Sequence, residues 1–160
     1  MAAFEPKNPG YRAAAIAMFE GQPAMRTLGI VIVRLAPGEV ELAMLHSPTF
    51  TQQNGFIHAG IITAGLDNAC GVAAFTLMPS EADILTVEFK TTLLAPARGE
   101  RFVFKAEVVK PGRTLTFCEA RAFAEHEGKT TLIAAMSGTL MAMMPRVAAS
   151  PEPRGLRAER

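Results

Sequence analysis

One carboxylate, Asp67, interrupts a run of apolar and small residues that extends from Phe56 to Phe75. A helix of that composition is built to be buried, and an isolated buried charge is costly unless it is paired or hydrogen-bonded. An acid kept in such a place points to chemistry. The polar loop Thr51-Gln-Gln-Asn-Gly55 leads into the run. The first N–H groups of the helix it enters are free and partly positive, which suits a developing oxyanion. Eight steps separate Ala59 from Asp67, roughly 12 Å along a helix. The acid therefore cannot act on a carbonyl held at the start of its own helix. Two such helices packed antiparallel across a two-fold axis bring each acid to the other's start, which predicts a homodimer with two shared sites.

The surrounding elements must position these groups. Residues 8–20 open on Asn8-Pro9, an N-cap pair, and run Ala-rich toward Gly21-Gln-Pro23, which predicts a short first helix ending there. Leu28 to His46 reads as two strands about Pro37-Gly38, the second alternating in Glu39-Val-Glu-Leu-Ala-Met44. The long helix starts near His58 and fades by Pro79-Ser80. Four strand segments come after it, 84–94, 101–109, 114–124 and 130–144, separated by Pro96-Ala-Arg-Gly99, Lys110-Pro-Gly-Arg113 and His126-Glu-Gly-Lys129. Short connections predict that these four are antiparallel neighbours. The long helix is apolar nearly all round, so an α+β fold is expected in which one antiparallel sheet wraps around it. The expected organisation is an N-terminal helix and linker over 1–26, the sheet-and-helix domain over 27–144, and a disordered tail over 145–160. That tail holds three prolines and four arginines with little apolar content.

At 160 residues the chain suits a single core. Sixteen basic and fifteen acidic side chains leave a net charge of +1, which gives no electrostatic reason to expect nucleic acid or a membrane surface as partner. Apolar residues make up 49%, more than one core requires, so a subunit interface or an apolar ligand slot is expected. The segment Phe56–Met78 carries His58, Asp67 and three glycines, and reads as a buried helix rather than a membrane span. Cys70 and Cys118 lie in apolar runs without metal-ligand spacing and read as reduced core thiols, pointing to a cytoplasmic location. His46 and His126 read as surface or strand-end residues.

Gln52, Gly55, His58-Ala-Gly60, Thr63 and Asp67-Asn68 together resemble the helix-start motif of the hotdog-fold acyl-CoA thioesterases, most of all the phenylacetate-degradation (PaaI) type. Thr86-Val-Glu-Phe89, Leu94-Ala-Pro96, Gly112-Arg-Thr-Leu115 and Ala134-Ala-Met-Ser-Gly-Thr139 fall where that family has comparable strand motifs, so the resemblance spans about residues 27–143. It implies hydrolysis of an acyl-CoA to free acid and coenzyme A, with no cofactor and no metal. Asp67 would be the nucleophile or the general base, and the Ala59 N–H would polarise the thioester carbonyl. Gln52 would contact the thioester, and Thr86 would position water or the acid. His58, Gly60 and Asn68 would complete the substrate contacts, with His58 also suited to bonding the backbone around the loop. Lys110 and Arg113 flank a Pro-Gly turn, either solvated or touching the coenzyme A phosphates. The family commonly has His-Gly-Gly where this chain has His58-Ala-Gly60; the donor survives and the methyl narrows the site. The family also implies a dimer of dimers, a homotetramer.

Plainer readings exist for the same residues. Asp67 could be a helix acid paired with a buried arginine or a cap, Gln52 an ordinary loop residue, and Thr86 a strand threonine. A hydroxyacyl-thioester dehydratase would need a catalytic His with an acid, an arrangement this sequence does not present. A non-catalytic acyl-CoA-binding protein is the alternative of a different class, since fold does not dictate function. A regulator of that kind is expected to carry a DNA-binding segment, for which the residues before Leu28 leave no room. The Met and Ala content near the helix favours medium-to-long aliphatic acyl groups.

Overall fold

The computed structural model describes residues 4–145. Most of the tail expected over 145–160 lies outside them. Two short helices, α1 (Tyr11–Glu20) and α2 (Pro23–Leu28), precede the strands β1 (Val31–Ala36) and β2 (Glu39–Leu45). A 3-10 turn, Pro48–Phe50, leads toward the long helix α3 (Ala59–Phe75). Strands β3 (Asp83–Leu93), β4 (Arg101–Lys110), β5 (Leu115–His126) and β6 (Lys129–Met143) follow it. All six strands form one antiparallel sheet in the order β1-β2-β4-β5-β6-β3, curled around α3.

Three local expectations are corrected. Asn8 does not cap α1 directly. Its Oδ1 accepts from Gly10 N at 2.8 Å, and Gly10 is the N-cap. Helix α1 does end at Glu20, with Gly21 as its C-cap, but Pro23 then opens α2, with Gln22 extended as its N-cap, so that Leu28 closes a helix rather than opening a strand. A missing N–H costs nothing in a first helical turn, so the same residue that stops one helix can start the next. The third correction concerns strand order. Of the four C-terminal strands, β4, β5 and β6 are consecutive neighbours, but β3 pairs with β6 at the far edge and β4 pairs with β2.

The connection after β3 explains that order. Residues 94–100 are too long and too proline-interrupted for a tight hairpin, and their backbone bonds elsewhere. Leu94 N reaches Ile133 O at 2.8 Å, Ala97 O accepts from Ile57 N at 3.1 Å, and Glu100 N reaches Glu125 O at 2.9 Å. The segment thus crosses the end of the sheet and anchors the loop that starts α3. Gly99 permits the crossing, because a Cβ there would lie 2.5 Å from Glu125 O.

The core lies between α3 and the concave face of the sheet. Ile62, Leu66, Ala69, Cys70, Val72 and Ala73 of the helix are buried against Leu42, Phe102, Phe104, Ala122 and Leu140. Gly65 sets the approach: a Cβ there would fall 2.5 Å from the Phe104 ring, so only glycine lets helix and sheet sit so close. Thr76 fastens the far end of the helix. Its hydroxyl donates to Ala73 O at 2.6 Å and accepts from Gly38 N at 2.7 Å, tying α3 to the β1–β2 turn. Cys70 and Cys118 are buried and free, as read from the sequence. Burial pushes the Cys118 thiol up to about 12, where it has no nucleophilic character at neutral pH.

Candidate active site

Asp67 stands near the middle of α3, half-buried, and its Oδ1 accepts a hydrogen bond from the Thr86 hydroxyl at 2.8 Å. Thr86 reaches it from β3. It pairs with fully buried Leu140, which places its side chain on the helix side of the sheet. The β3–β6 ladder then shifts between Thr86 and Glu88, with Val87 the inserted residue. Phe89, opposite Gly138, consequently faces inward too, three residues after Thr86 rather than two or four. Burial raises the Asp67 carboxyl above the ordinary carboxylate range, and the Thr86 bond offsets part of that rise. Beside it, Asn68 Nδ2 donates to Gln22 Oε1 at 2.6 Å, while Asn68 Oδ1 is buried with no partner among the described residues. A cavity of ≈ 410 Å³ adjoins the acid, bounded by Met18, Gln22, Asp67, Asn68, Ile84 and Thr86 among others.

The start of α3 is built from backbone. His58 N donates to Phe50 O at 2.8 Å, Gln52 N to Phe56 O at 2.8 Å, and Gly55 N to Gln52 O at 2.9 Å, which folds the loop on itself. His58 is the N-cap, its Nδ1 accepting from Gly60 N at 2.9 Å. That bond assigns the imidazole a structural task and takes up the Gly60 donor. The Ala59 N–H has no partner among the described residues and remains available at the positive end of the helix. The Gln52 side chain accepts from Asn54 N through Oε1. Gln52, Phe56, His58, Ala59, Leu94 and Ile133 border a second cavity, of ≈ 630 Å³.

The thioesterase superfamily model matches residues 54–131. Acyl-coenzyme A thioesterase 13 from Homo sapiens is 32% identical over 117 residues, which cover 71% of this chain and 81% of that protein. The chain belongs to the thioesterase superfamily. It is also similar to a thioesterase family protein from Silicibacter pomeroyi, with 54% identity and a TM-score of 0.84 over 85% of this chain and 100% of that one. The PaaI protein of the E. coli phenylacetic acid degradation operon superimposes with a TM-score of 0.75, over 86% of this chain and 96% of that one. At 17% identity it speaks for the fold alone. That fold is the hotdog, a single antiparallel sheet wrapped around one long helix.

In this thioesterase-superfamily chain the site residues read from the sequence fall into two groups. Gln52, His58, Ala59 and Gly60 gather at the start of α3; Asp67, Asn68 and Thr86 gather in its middle. Among the described residues, the two groups border separate cavities. Lys110 and Arg113 are exposed on the β4–β5 turn and border neither cavity. They stand at the end of the sheet nearer Thr86, where the ladder runs Thr86–Leu140–Thr116. Sequence reasoning missed Gln22. A glutamine between a glycine and a proline carries only a helix-terminating signal, and nothing local says that it will lie over Asn68.

Proposed function

We propose that the protein hydrolyses acyl-CoA thioesters at two composite sites of a homodimer. The observation that carries this reading is the separation of a hydroxyl-bonded acid, Asp67, from an unoccupied helix-start donor, the Ala59 N–H. A second copy in antiparallel contact brings the two within reach of one carbonyl. The edge of the sheet supplies the contact. Strand β3 is eleven residues long, has no neighbour on its outer side among the described residues, and leaves Leu85, Phe89 and Leu93 respectively 54%, 46% and 55% exposed. A long apolar edge of this kind is ordinarily blocked or paired.

In the composite site the thioester carbonyl lies between Ala59 of one subunit and Asp67 of the other. The Asp67 carboxylate, with Oδ1 held by Thr86, takes a proton from water through Oδ2. The hydroxide equivalent adds to the carbonyl carbon. The resulting oxyanion is held by the Ala59 N–H, with Gln52 beside it. Collapse breaks the C–S bond, and the proton held by Asp67 passes to the departing thiolate. Free acid and coenzyme A leave, and Asp67 returns to its ionised form. Lys110 and Arg113 supply phosphate contacts for the coenzyme A end. The buried, reduced thiols fit a cytoplasmic enzyme, and two such dimers pair into a tetramer.

A complementation experiment tests the shared site. Asp67→Asn and Ala59→Pro are each expected to retain no more than about 1% of the wild-type rate in a free-thiol release assay on acyl-CoAs. Once subunits are exchanged, half the dimers are mixed and each mixed dimer carries one intact site, so about a quarter of the wild-type rate should return. A mixture that stays inactive after verified exchange contradicts the composite site. Wild-type protein that binds acyl-CoA but releases no thiol contradicts hydrolysis and favours the binding reading.

A further inference from the structure

We propose that the corner between α1 and α2 is the wall against which the acyl group is sized, with Met18 as its gauge and the Gln22–Asn68 bond as its fastening. The inference rests on the hydrolase reading of the Asp67 site and deepens it.

The cavity beside Asp67 is not made by the sheet and α3 alone. Ala17, Met18, Gly21 and Gln22 close one side of it, facing Asp67, Asn68, Val72 and Thr86 on the other. Helix α1 can present these residues because Ala15 and Phe19, on its neighbouring face, are buried in the core at 0% and 7% exposure and anchor it there. Met18, in the last turn of α1, touches Gln22 four residues on, Gln22 Nε2 lying 3.2 Å from Met18 Sδ. Gln22 Oε1 in turn accepts from Asn68 Nδ2 at 2.6 Å. A continuous chain of contacts therefore runs from Met18 through Gln22 to the residue next to the acid.

Two features say what this wall meets. Asn68 keeps its amide oxygen buried and unpartnered among the described residues, while its amide nitrogen is spent on Gln22. The Gln22 bond is thus the sole side-chain fastening of that amide among the described residues. The cavity also contains two carboxylates, Asp67 and Asp83, and no cationic side chain. Phosphates of coenzyme A are repelled there, whereas an alkyl chain placed against Met18, Val72 and Ile84 loses apolar surface to apolar surface. The acyl end of the substrate, not the nucleotide end, fits this side of the acid. Methionine suits the gauge position because its unbranched thioether adapts to the groups it touches.

The test uses the full chain and a straight-chain acyl-CoA panel from acetyl to palmitoyl, read as kcat/KM. Met18→Phe should lower the ratio of the longest accepted chain to the shortest by about tenfold, the scale of discrimination a pocket wall achieves by filling space. Met18→Ala should move the ratio the other way, and Gln22→Ala should flatten the profile by freeing the corner. Met18→Leu, with similar volume, should restore the wild-type profile. Parallel profiles, in which every chain length changes by one common factor or none changes, overturn the inference. Wild-type turnover that is absent, or that survives Asp67→Asn, defeats the hydrolase reading and this inference with it. Asp67-dependent turnover with parallel profiles defeats this inference alone. Should Met18→Phe fail to fold by thermal melt, the opposite shift in Met18→Ala decides.

Discussion

The two halves of the proposed site are built from different materials. At the start of α3 the proposed donor is a backbone N–H, held by a loop whose bonds run through Phe50, Gln52, Phe56 and Ala97. In the middle of α3 the proposed reacting groups are side chains, Asp67 and Thr86, held by a helix face and an edge strand. A donor made of backbone tolerates most side-chain changes at its position and is abolished only by removing the N–H itself. A carboxylate is abolished by any change of type, and keeping it half-buried costs stability. The first half is a product of chain path; the second is a product of residue choice.

Breaking the second half should have the largest effect. Asp67→Asn is expected to reduce kcat by about 10³-fold, within the range of general-base contributions, in the thiol-release assay. The same variant should melt at a higher temperature at neutral pH. The sign comes from the raised carboxyl: the folded state holds the Asp67 proton more tightly than the unfolded chain, whose carboxyl titrates near 3.8. Stability is therefore lost as pH rises from that value toward the raised one, and an uncharged amide avoids the loss. A calorimetric scan showing no gain would mean that Asp67 is fully compensated by its surroundings.

Ala59→Pro comes next and addresses the other half. It deletes the N–H at the first helical position, where proline is accepted, and His58 already has the extended conformation (φ −59°, ψ 138°) that a following proline requires. The expected loss is about 10²-fold in kcat with an unchanged melting temperature. Thr86→Ala should cost about tenfold, the effect of losing one hydrogen bond to a charged acceptor worth roughly 1.5 kcal/mol. It should also move the acidic limb of the kcat/KM profile to higher pH, because the bond it removes favours the ionised acid. The smallest effect belongs to Ala59→Gly, which keeps the N–H and removes only the methyl. Turnover within about twofold of wild type is expected for the substrates already accepted, which would separate the backbone's contribution from the side chain's.

The same contrast decides how much could be read from the sequence. Asp67 announces itself, because a lone acid in an apolar helical run violates patterning that the rest of the chain obeys. The start of α3 is legible from the loop composition and the position of His58. Thr86 stands out only by its place in a strand motif, not by anything intrinsic to threonine. The illegible features are non-local. The placement of β3 beside β6 depends on a crossing segment whose bonds go to Ile57, Glu125 and Ile133, residues far apart in the chain. The partnership of Gln22 with Asn68 spans 46 positions and depends on how α1 settles on α3. Pro23 misled because its two helical roles, terminator and first-turn residue, look identical until the path of residues 24–28 is known.

The inserted residue in β3 has a consequence of its own. Because the ladder resumes in step on both sides of Val87, deleting that one residue would leave every other pairing of the strand intact, from Asp83–Met143 to Leu93–Ala134. Asp67, Thr86 and the Ala59 N–H would still be present, on the same elements and in the same order. Only the bend of the strand, and with it the angle at which a hydroxyl meets a carboxylate, would change. The site's aim is therefore encoded as a count of residues rather than as a kind of residue, and a chain one unit shorter would expose how much of its power is aim.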